Sequence, residues 1–184
     1  MAKVVLFGDS YIKRLCFFCD ERKGLHVPYS VKWYGQCGLR TDRMNTDLYG
    51  KMLKEKGDIV IVAVGGNDIT PTSQPKEIVR RITEIVNDIS RNGCEHVYIT
   101  EILTRGNFSK CPGLQKIVFD RQRIKINKCL AKTFKNNFLK FPDFIILNNE
   151  IPYRLCQRSG SFGEPYPGKQ RHAQVSVSTT KTHM

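Results

Sequence analysis

The run DIVIVAV at positions 58–64 constrains the fold more than any other segment of the chain. It is β-branched and continuously apolar, which predicts a strand that is buried on both faces, as in a parallel sheet. Parallel neighbours are joined by long crossover connections that are usually helical. The chain is therefore expected to alternate strands with helices.

The segments on either side show this alternation. Shorter apolar runs predict four further strands, at 4–7, 31–34, 96–103 and 144–147. Helices are predicted between them at 10–19, from a cap at Thr41 or Asp42 to 56, from 75 to a terminal Gly93, and at 114–138. This order predicts an α/β domain whose strands are parallel and whose crossovers are right-handed.

Length and composition are those of an ordinary globular protein. The 184 residues suit one domain, and 40% hydrophobic with 26% charged residues exclude wholesale disorder, a collagen repeat and a coiled-coil rod. Thirty Lys and Arg against 17 Asp and Glu give a net charge of +13. An excess of this size favours polyanionic partners.

Several signals concern the cellular compartment. The longest strongly apolar run, at 59–65, is far shorter than the roughly 20 residues of a membrane-spanning helix, so no membrane span is expected. The N-terminal MAKVVLFGDS does not resemble a signal peptide. Seven cysteines without a secretory signal predict reduced thiols in a cytoplasmic protein, with the nucleus as the alternative. Cys16 and Cys19 form a lone CxxC pair, so no metal site is predicted.

Three short motifs lie where the first three predicted strands end. They are Gly8-Asp9-Ser10, Gly35-Gln36-Cys37-Gly38 and Gly65-Gly66-Asn67-Asp68. The carboxyl ends of parallel strands share one edge of a sheet, and ligands bind beyond that edge. The three motifs together are therefore a much more specific signal than each one alone.

The residue types in these motifs suit acyl-transfer chemistry. A serine that begins a helix is exposed, and its backbone N–H lies at the positive end of the helix dipole. A glycine lets a second N–H approach a ligand closely, and an asparagine side chain adds a third donor. Three donors beside a hydroxyl can form an oxyanion hole next to a nucleophile.

The same motifs resemble those of the SGNH, or GDSL-type, esterase family over about residues 3–149. VVLFGDSYIKRL resembles the first block of that family, with Ser10 as the nucleophile. YGQCGLRTD and DIVIVAVGGNDIT resemble the second and third blocks, with Asn67 and Gly38, or alternatively Gly35, in the oxyanion hole. Within the family, the motifs most resemble those of small SGNH domains from invertebrate and retroelement-encoded proteins.

The resemblance implies a fold and an activity. The fold would be a three-layer α/β sandwich around a flavodoxin-like, five-stranded parallel sheet in the order 2-1-3-4-5. The activity would be hydrolysis of a small ester or acetyl group through an acyl-Ser10 intermediate, with no metal or organic cofactor.

The fourth block of the family, Asp-x-x-His, has no counterpart here. None of the four histidines has an Asp three residues before it, so the predicted activity is impaired. His26 and His96 are expected at the amino edge of the sheet, about a strand length from Ser10, which leaves His172 or His183 as the base. Two interpretations stay open: a non-catalytic binding module on this fold, or a C-terminal segment that is a truncated or frame-shifted replacement.

The composition changes near residue 150. Residues 151–184 are rich in Ser, Thr, Gly, Pro and basic residues and lack helical periodicity. We therefore predict an SGNH-like domain at 1–150 and an irregular or disordered basic tail at 151–184.

One face of the last predicted helix is cationic. Its cations recur at spacings of 4, 3, 4 and 3: Arg121, Lys125, Lys128, Lys132 and Lys135. The stripe is either a solvated face or a phosphate-contacting surface. The second interpretation makes nucleic acid or another polyanion a partner, with Lys125, Lys128 and Lys132 as the phosphate-binding candidates.

Overall fold

A computed structural model describes residues 2–21 and 27–141 of the chain. Within these ranges strands and helices alternate in the order β1 (Lys3–Gly8), α1 (Ser10–Glu21), β2 (Ser30–Gly35), α2 (Thr46–Lys54), β3 (Ile59–Ala63), α3 (Pro75–Arg91), β4 (His96–Thr100), α4 (Lys116–Phe134) and β5 (Phe138–Leu139). Short 3-10 turns at Gly66–Asp68 and Lys135–Asn137 follow β3 and α4. None of the helices in the described ranges is both long and apolar enough to cross a membrane.

The strands form one parallel sheet in the order β2-β1-β3-β4-β5. This confirms the predicted five-stranded sheet and its strand order. The chain moves from β1 to β2 in one direction and then crosses back to β3, β4 and β5 in the other. Right-handed crossovers therefore place α1 on one face of the sheet and α2, α3 and α4 on the opposite face.

The main core lies between the sheet and the three helices on one face. Because strand side chains alternate between faces, every second strand residue enters this core. The strand residues buried here are Val5, Phe7, Val60, Val62, Val97 and Ile99. The helices contribute Met52, Ile78, Ile82, Ile89, Phe119, Ile126 and Leu130.

The face of the sheet that carries α1 is covered less completely. In β3, Val60 and Val62 are buried, whereas Ile59, Ile61 and Ala63 on the other face are partly exposed. The prediction that this strand is buried on both faces therefore holds for one face only.

The start of α2 differs from the prediction. Thr41 and Asp42 were the predicted caps, but the side chain of Asn45 caps the helix instead. The hydroxyl of Thr41 donates to buried Asp68. The carboxylate of Asp42 pairs with Arg40 at 2.7 Å, so neither predicted cap is available to the helix.

The fifth strand of the described sheet begins where the sequence predicted a helix. It is formed by Phe138–Leu139, which pair with the end of β4, whereas the sequence placed residue 138 at the end of a helix. That prediction was wrong because α4 ends at Phe134, where Lys135 adopts a positive φ of 47° and breaks the helix. The run at 144–147, the domain boundary near 150 and the tail at 151–184 lie outside the described residues.

Candidate active site

The segments that carry the three motifs leave the sheet side by side. Gly8 at the end of β1 is in register with Gly35 of β2 on one side and with Ala63 of β3 on the other. Backbone hydrogen bonds continue this pairing past the strands. The N–H of Gln36 donates to the carbonyl of Gly8 at 3.0 Å, and the N–H of Asp9 donates to that of Ala63 at 3.0 Å.

Ser10 is the first residue of α1, and only Asp9 separates it from the end of β1. This tight turn needs a glycine, since a Cβ on Gly8 would lie 2.3 Å from the carbonyl oxygen of Ala63. The carboxylate of Asp9 caps the helix by accepting the N–H of Tyr11 at 2.9 Å. Ser10 thus stands, partly exposed, at a helix N-terminus that favours negative charge.

Gly38 lies in a β-turn after β2. The N–H of Leu39 donates to the carbonyl of Gln36 at 3.3 Å, and within this turn Gly38 is exposed and has a φ of +74°. Gly35 has a different environment, because a Cβ there would lie 2.4 Å from the backbone nitrogen of Lys13 in α1. Packing accounts for the glycine at 35, so Gly38 stays the better candidate for a backbone donor.

Asn67 connects the segments that follow β2 and β3. Its Nδ2 donates to the carbonyl of Leu39 at 3.1 Å, which holds it against the turn that contains Gly38. Its Oδ1 accepts from Nη2 of Arg105 at 2.9 Å. Because a guanidinium only donates, Arg105 fixes the orientation of the amide and leaves the second proton of Nδ2 for another acceptor.

Arg105 is a site residue that the sequence analysis missed. The same Nη2 donates to the carbonyl of Gly66 at 2.9 Å, and the guanidinium carbon lies 5.1 Å from the ring centroid of Phe119. The residue follows β4, so the rule that sites form beyond the carboxyl ends of parallel strands, applied to the fourth strand, would have pointed to it. Arg105 therefore holds the side chain of Asn67 in its observed orientation.

Asp68 joins the same two loops from inside the protein. It is 1% exposed, and its Oδ1 accepts both the N–H of Thr41 at 2.9 Å and its hydroxyl at 2.6 Å. The hydroxyl of Thr41 accepts in turn from Nε of Arg81 at 3.0 Å. Two side chains after β3 therefore hydrogen-bond to the loop after β2: Asp68 bonds to Thr41, and Asn67 bonds to the carbonyl of Leu39.

The carboxyl group of Asp9 has an altered acidity. Burial raises its pKa from 3.8 to about 6, and repulsion from Asp68 acts in the same direction. The N–H of Tyr11 and the charge of Arg105 oppose this rise. The residue next to the candidate nucleophile therefore gains its negative charge only as the pH approaches neutrality.

The described residues bring no histidine to this edge. His96 begins β4 in register with Ile59, the first residue of β3, which places it at the amino edge as the sequence predicted. His26, His172 and His183 lie outside the described residues. Within residues 2–21 and 27–141 there is also no group of three side chains suited to hold a metal ion.

Comparison with known proteins identifies the fold. No protein-family model and no curated protein sequence matches the chain. Among solved structures it is similar to the lipase/acylhydrolase from Enterococcus faecalis, with a TM-score of 0.54 and 20% identity over 76% of this chain and 75% of that one. It is also similar to the acetyl xylan esterase AlAXEase, with a TM-score of 0.53 and 17% identity over 75% of this chain and 76% of that one.

The chain is likewise similar to the structure of a GDSL-like lipase from Bacteroides thetaiotaomicron VPI-5482, with a TM-score of 0.52 and 15% identity over 80% of this chain and 72% of that one. At such identities the likeness establishes the fold alone. The chain thus has an SGNH-type hydrolase fold, as the resemblance of its motifs implied.

Proposed function

We propose that this chain is a serine-esterase-like hydrolase that acts on an ester or acetyl group. Ser10 is the nucleophile, and the N–H of Gly38 and the side chain of Asn67 are the oxyanion donors. The hydrogen bond from Asn67 to the carbonyl of Leu39 carries the proposal, because it joins the two donor-bearing turns beside the start of α1. Fold neighbours described as acylhydrolases and esterases support this reaction class.

The proposed reaction follows from these roles. The oxygen of Ser10 attacks the acyl carbon as its proton passes to water, and the carbonyl oxygen becomes an oxyanion that the donors at Gly38 and Asn67 stabilise. Water returns a proton to the departing alkoxide. The alcohol leaves, and water then hydrolyses the acyl-Ser10 ester. Each donor of an oxyanion hole typically contributes about 10²–10³ to turnover.

We also propose that turnover is impaired, because no Asp-x-x-His sequence supplies a general base. His172 and His183 are the remaining candidates for that role. In a serine protease the loss of the histidine costs on the order of 10⁶ in turnover. The oxyanion hole and substrate binding alone retain roughly 10³ over the reaction in water.

Hydrolysis of p-nitrophenyl acetate tests this account. The wild-type chain should react slowly, and Ser10→Ala should change the rate little, because within residues 2–21 and 27–141 no histidine lies at the edge that carries the hydroxyl. His172→Ala and His183→Ala test the two remaining candidates for the base. Robust turnover that is lost in Ser10→Ala but kept in both histidine variants would refute the proposal that turnover is impaired by a missing base.

A second candidate function is non-catalytic binding of a polyanion through α4, for which the sequence suggested nucleic acid. The observation that favours it is exposure, since the four cations of the stripe that lie on α4 are all on the surface: Arg121, Lys125, Lys128 and Lys132. The fifth, Lys135, follows the end of the helix and does not continue the stripe. Phosphate binding weakens steeply with salt, whereas hydrolysis of an uncharged ester does not. The salt dependence therefore separates the two functions.

Binding to a labelled duplex 20-mer at several salt concentrations measures this dependence. If the stripe contacts phosphates, Lys125→Gln/Lys128→Gln/Lys132→Gln should lower the log–log salt slope by about 2–3. Three exposed lysines elsewhere, at positions 32, 54 and 76, provide a charge-matched control variant. An unchanged slope in the α4 variant would show that the stripe does not contact phosphates and is a solvated face.

A further inference from the structure

The outward side of α4 combines cations with exposed aliphatic side chains. At about 100° per residue, six exposed positions project within an arc of roughly 100°, opposite the buried Phe119, Ile126 and Leu130. These six residues, called the α4 face below, are Ile117, Arg121, Ile124, Lys125, Lys128 and Lys132.

The two isoleucines are unusually exposed. Ile117 is 64% and Ile124 is 58% exposed, which are the highest values among the large hydrophobic side chains exposed within residues 2–21 and 27–141. A single exposed isoleucine is common on soluble proteins. Two of them, two helical turns apart on one side of a cationic stripe, form an amphipathic surface.

The cations of the α4 face are not neutralised by the acid of their own helix. Asp120 pairs with Lys116 and Arg123, which lie outside the face. Across residues 2–21 and 27–141, no ion pair involves Arg121, Lys125, Lys128 or Lys132. The positive charge of the face is therefore available to an external partner.

We propose that the α4 face binds the surface of an anionic lipid bilayer. Lipid headgroups supply phosphates and carboxylates for the cations, and the acyl boundary below them takes up the isoleucines. Nucleic acid supplies phosphates but leaves these isoleucines in water, and the face has no aromatic side chain on which bases could stack. The net charge of +13 adds long-range attraction to an anionic leaflet.

Two side chains on the flanks of α4 contact the segments that follow β3 and β4. Nε2 of Gln122 donates to the carbonyl of Thr70 after β3 at 3.0 Å, and the side chain of Asn127 bonds both the N–H and the carbonyl of Ile102 after β4. Docking of the α4 face would hold these two segments on the side of the protein that faces the bilayer. An ester presented by the bilayer is then the substrate class, a consequence that rests on the proposed function, whereas bilayer binding does not.

Co-sedimentation of the full chain with vesicles tests the proposal. Vesicles of phosphatidylcholine with about 30% phosphatidylserine should bind the protein at about 0.1 M salt, and vesicles of phosphatidylcholine alone should not. Ile117→Gln/Ile124→Gln should lower the partition coefficient by about tenfold or more. Lys125→Gln/Lys128→Gln/Lys132→Gln should lower it by about 100-fold.

Matched controls separate the α4 face from general effects. Leu15→Gln removes an exposed aliphatic side chain from α1, and the variant at Lys32, Lys54 and Lys76 removes the same charge elsewhere. Both should bind far better than the α4 variants, with unchanged circular dichroism in all cases. Ser10→Ala should bind like the wild type, so a failure of the proposed hydrolase leaves this measurement intact.

Two results would overturn the proposal. One is the absence of binding to anionic vesicles, and the other is binding that survives the change of both isoleucines. Binding to a duplex 20-mer that needs the lysines but not the isoleucines, with no binding to vesicles, would assign the α4 face to nucleic acid instead.

Discussion

At the residue scale, the buried carboxyl of Asp9 links the stability of the site to pH. Its pKa is raised by burial to about 6 in the folded chain, from 3.8. The folded state therefore holds the proton more tightly than the unfolded state. The resulting stabilisation is complete below about pH 4 and is lost as the pH rises through about 6, a change of about 3 kcal/mol.

Asp9→Asn should remove this pH dependence. The amide oxygen can still accept the N–H of Tyr11, but no charge has to be buried at neutral pH. We expect the free energy of unfolding at pH 7 to rise by up to about 3 kcal/mol, with little change at pH 4. Urea unfolding at pH 4 and pH 7 measures this change in the free energy of unfolding. Asp47→Asn, at an exposed aspartate, is the control for the removal of a carboxylate. An equal effect at the two pH values would contradict the assignment.

The residues of the candidate site differ in how far they could be predicted. Ser10, Gly38 and Asn67 follow strands directly, so local pattern and resemblance suffice to propose them. Thr41 could not be interpreted in this way, because a threonine before a helix predicts a cap. Its hydroxyl instead donates to Asp68, which is close only in the folded chain.

At the scale of elements, apolar periodicity predicted α3 and the first four strands to within a few residues. Each of these elements buries one face, so its apolar residues recur at the period of a helix or a strand. The end of α4 carries no such signal. A lysine rather than a glycine takes the positive φ there, so the break at Lys135 is not visible in the sequence. The following strand, Phe138–Leu139, is only two residues long and too short to show a period.

The packing of α1 on the sheet gives a paired test. Gly35→Ala would place a Cβ 2.4 Å from the backbone nitrogen of Lys13, so α1 would have to move. We expect the free energy of unfolding to fall by about 2 kcal/mol or more. Gly50→Ala, in open space within α2, should raise it by about 0.5–1 kcal/mol. Denaturant unfolding measures both, and changes of the same sign would contradict the close approach of α1.

At the scale of the whole molecule, the strand order places two separate surfaces on one chain. The edge at which β1, β2 and β3 end carries the serine and its candidate donors. The side formed by α4 carries cations and isoleucines, and Gln122 and Asn127 of this helix contact the segments that follow β3 and β4. The sheet order could be predicted from the alternation and the resemblance, but the combination of apolar and cationic side chains on α4 needed the exposure of each residue.

The central proposal is that Ser10 stands beside an oxyanion hole and that no histidine of residues 2–21 and 27–141 serves as its base. Imidazole in solution can supply that base, so the rate of p-nitrophenyl acetate hydrolysis should be measured against imidazole concentration. We predict that the rate rises more steeply with imidazole concentration for the wild type than for Ser10→Ala. The Ser10→Ala variant measures the direct reaction of imidazole with the ester, without the serine. In Asn67→Ala the excess over Ser10→Ala should fall by about 100-fold or more. Identical slopes for the wild type and Ser10→Ala would contradict the claim.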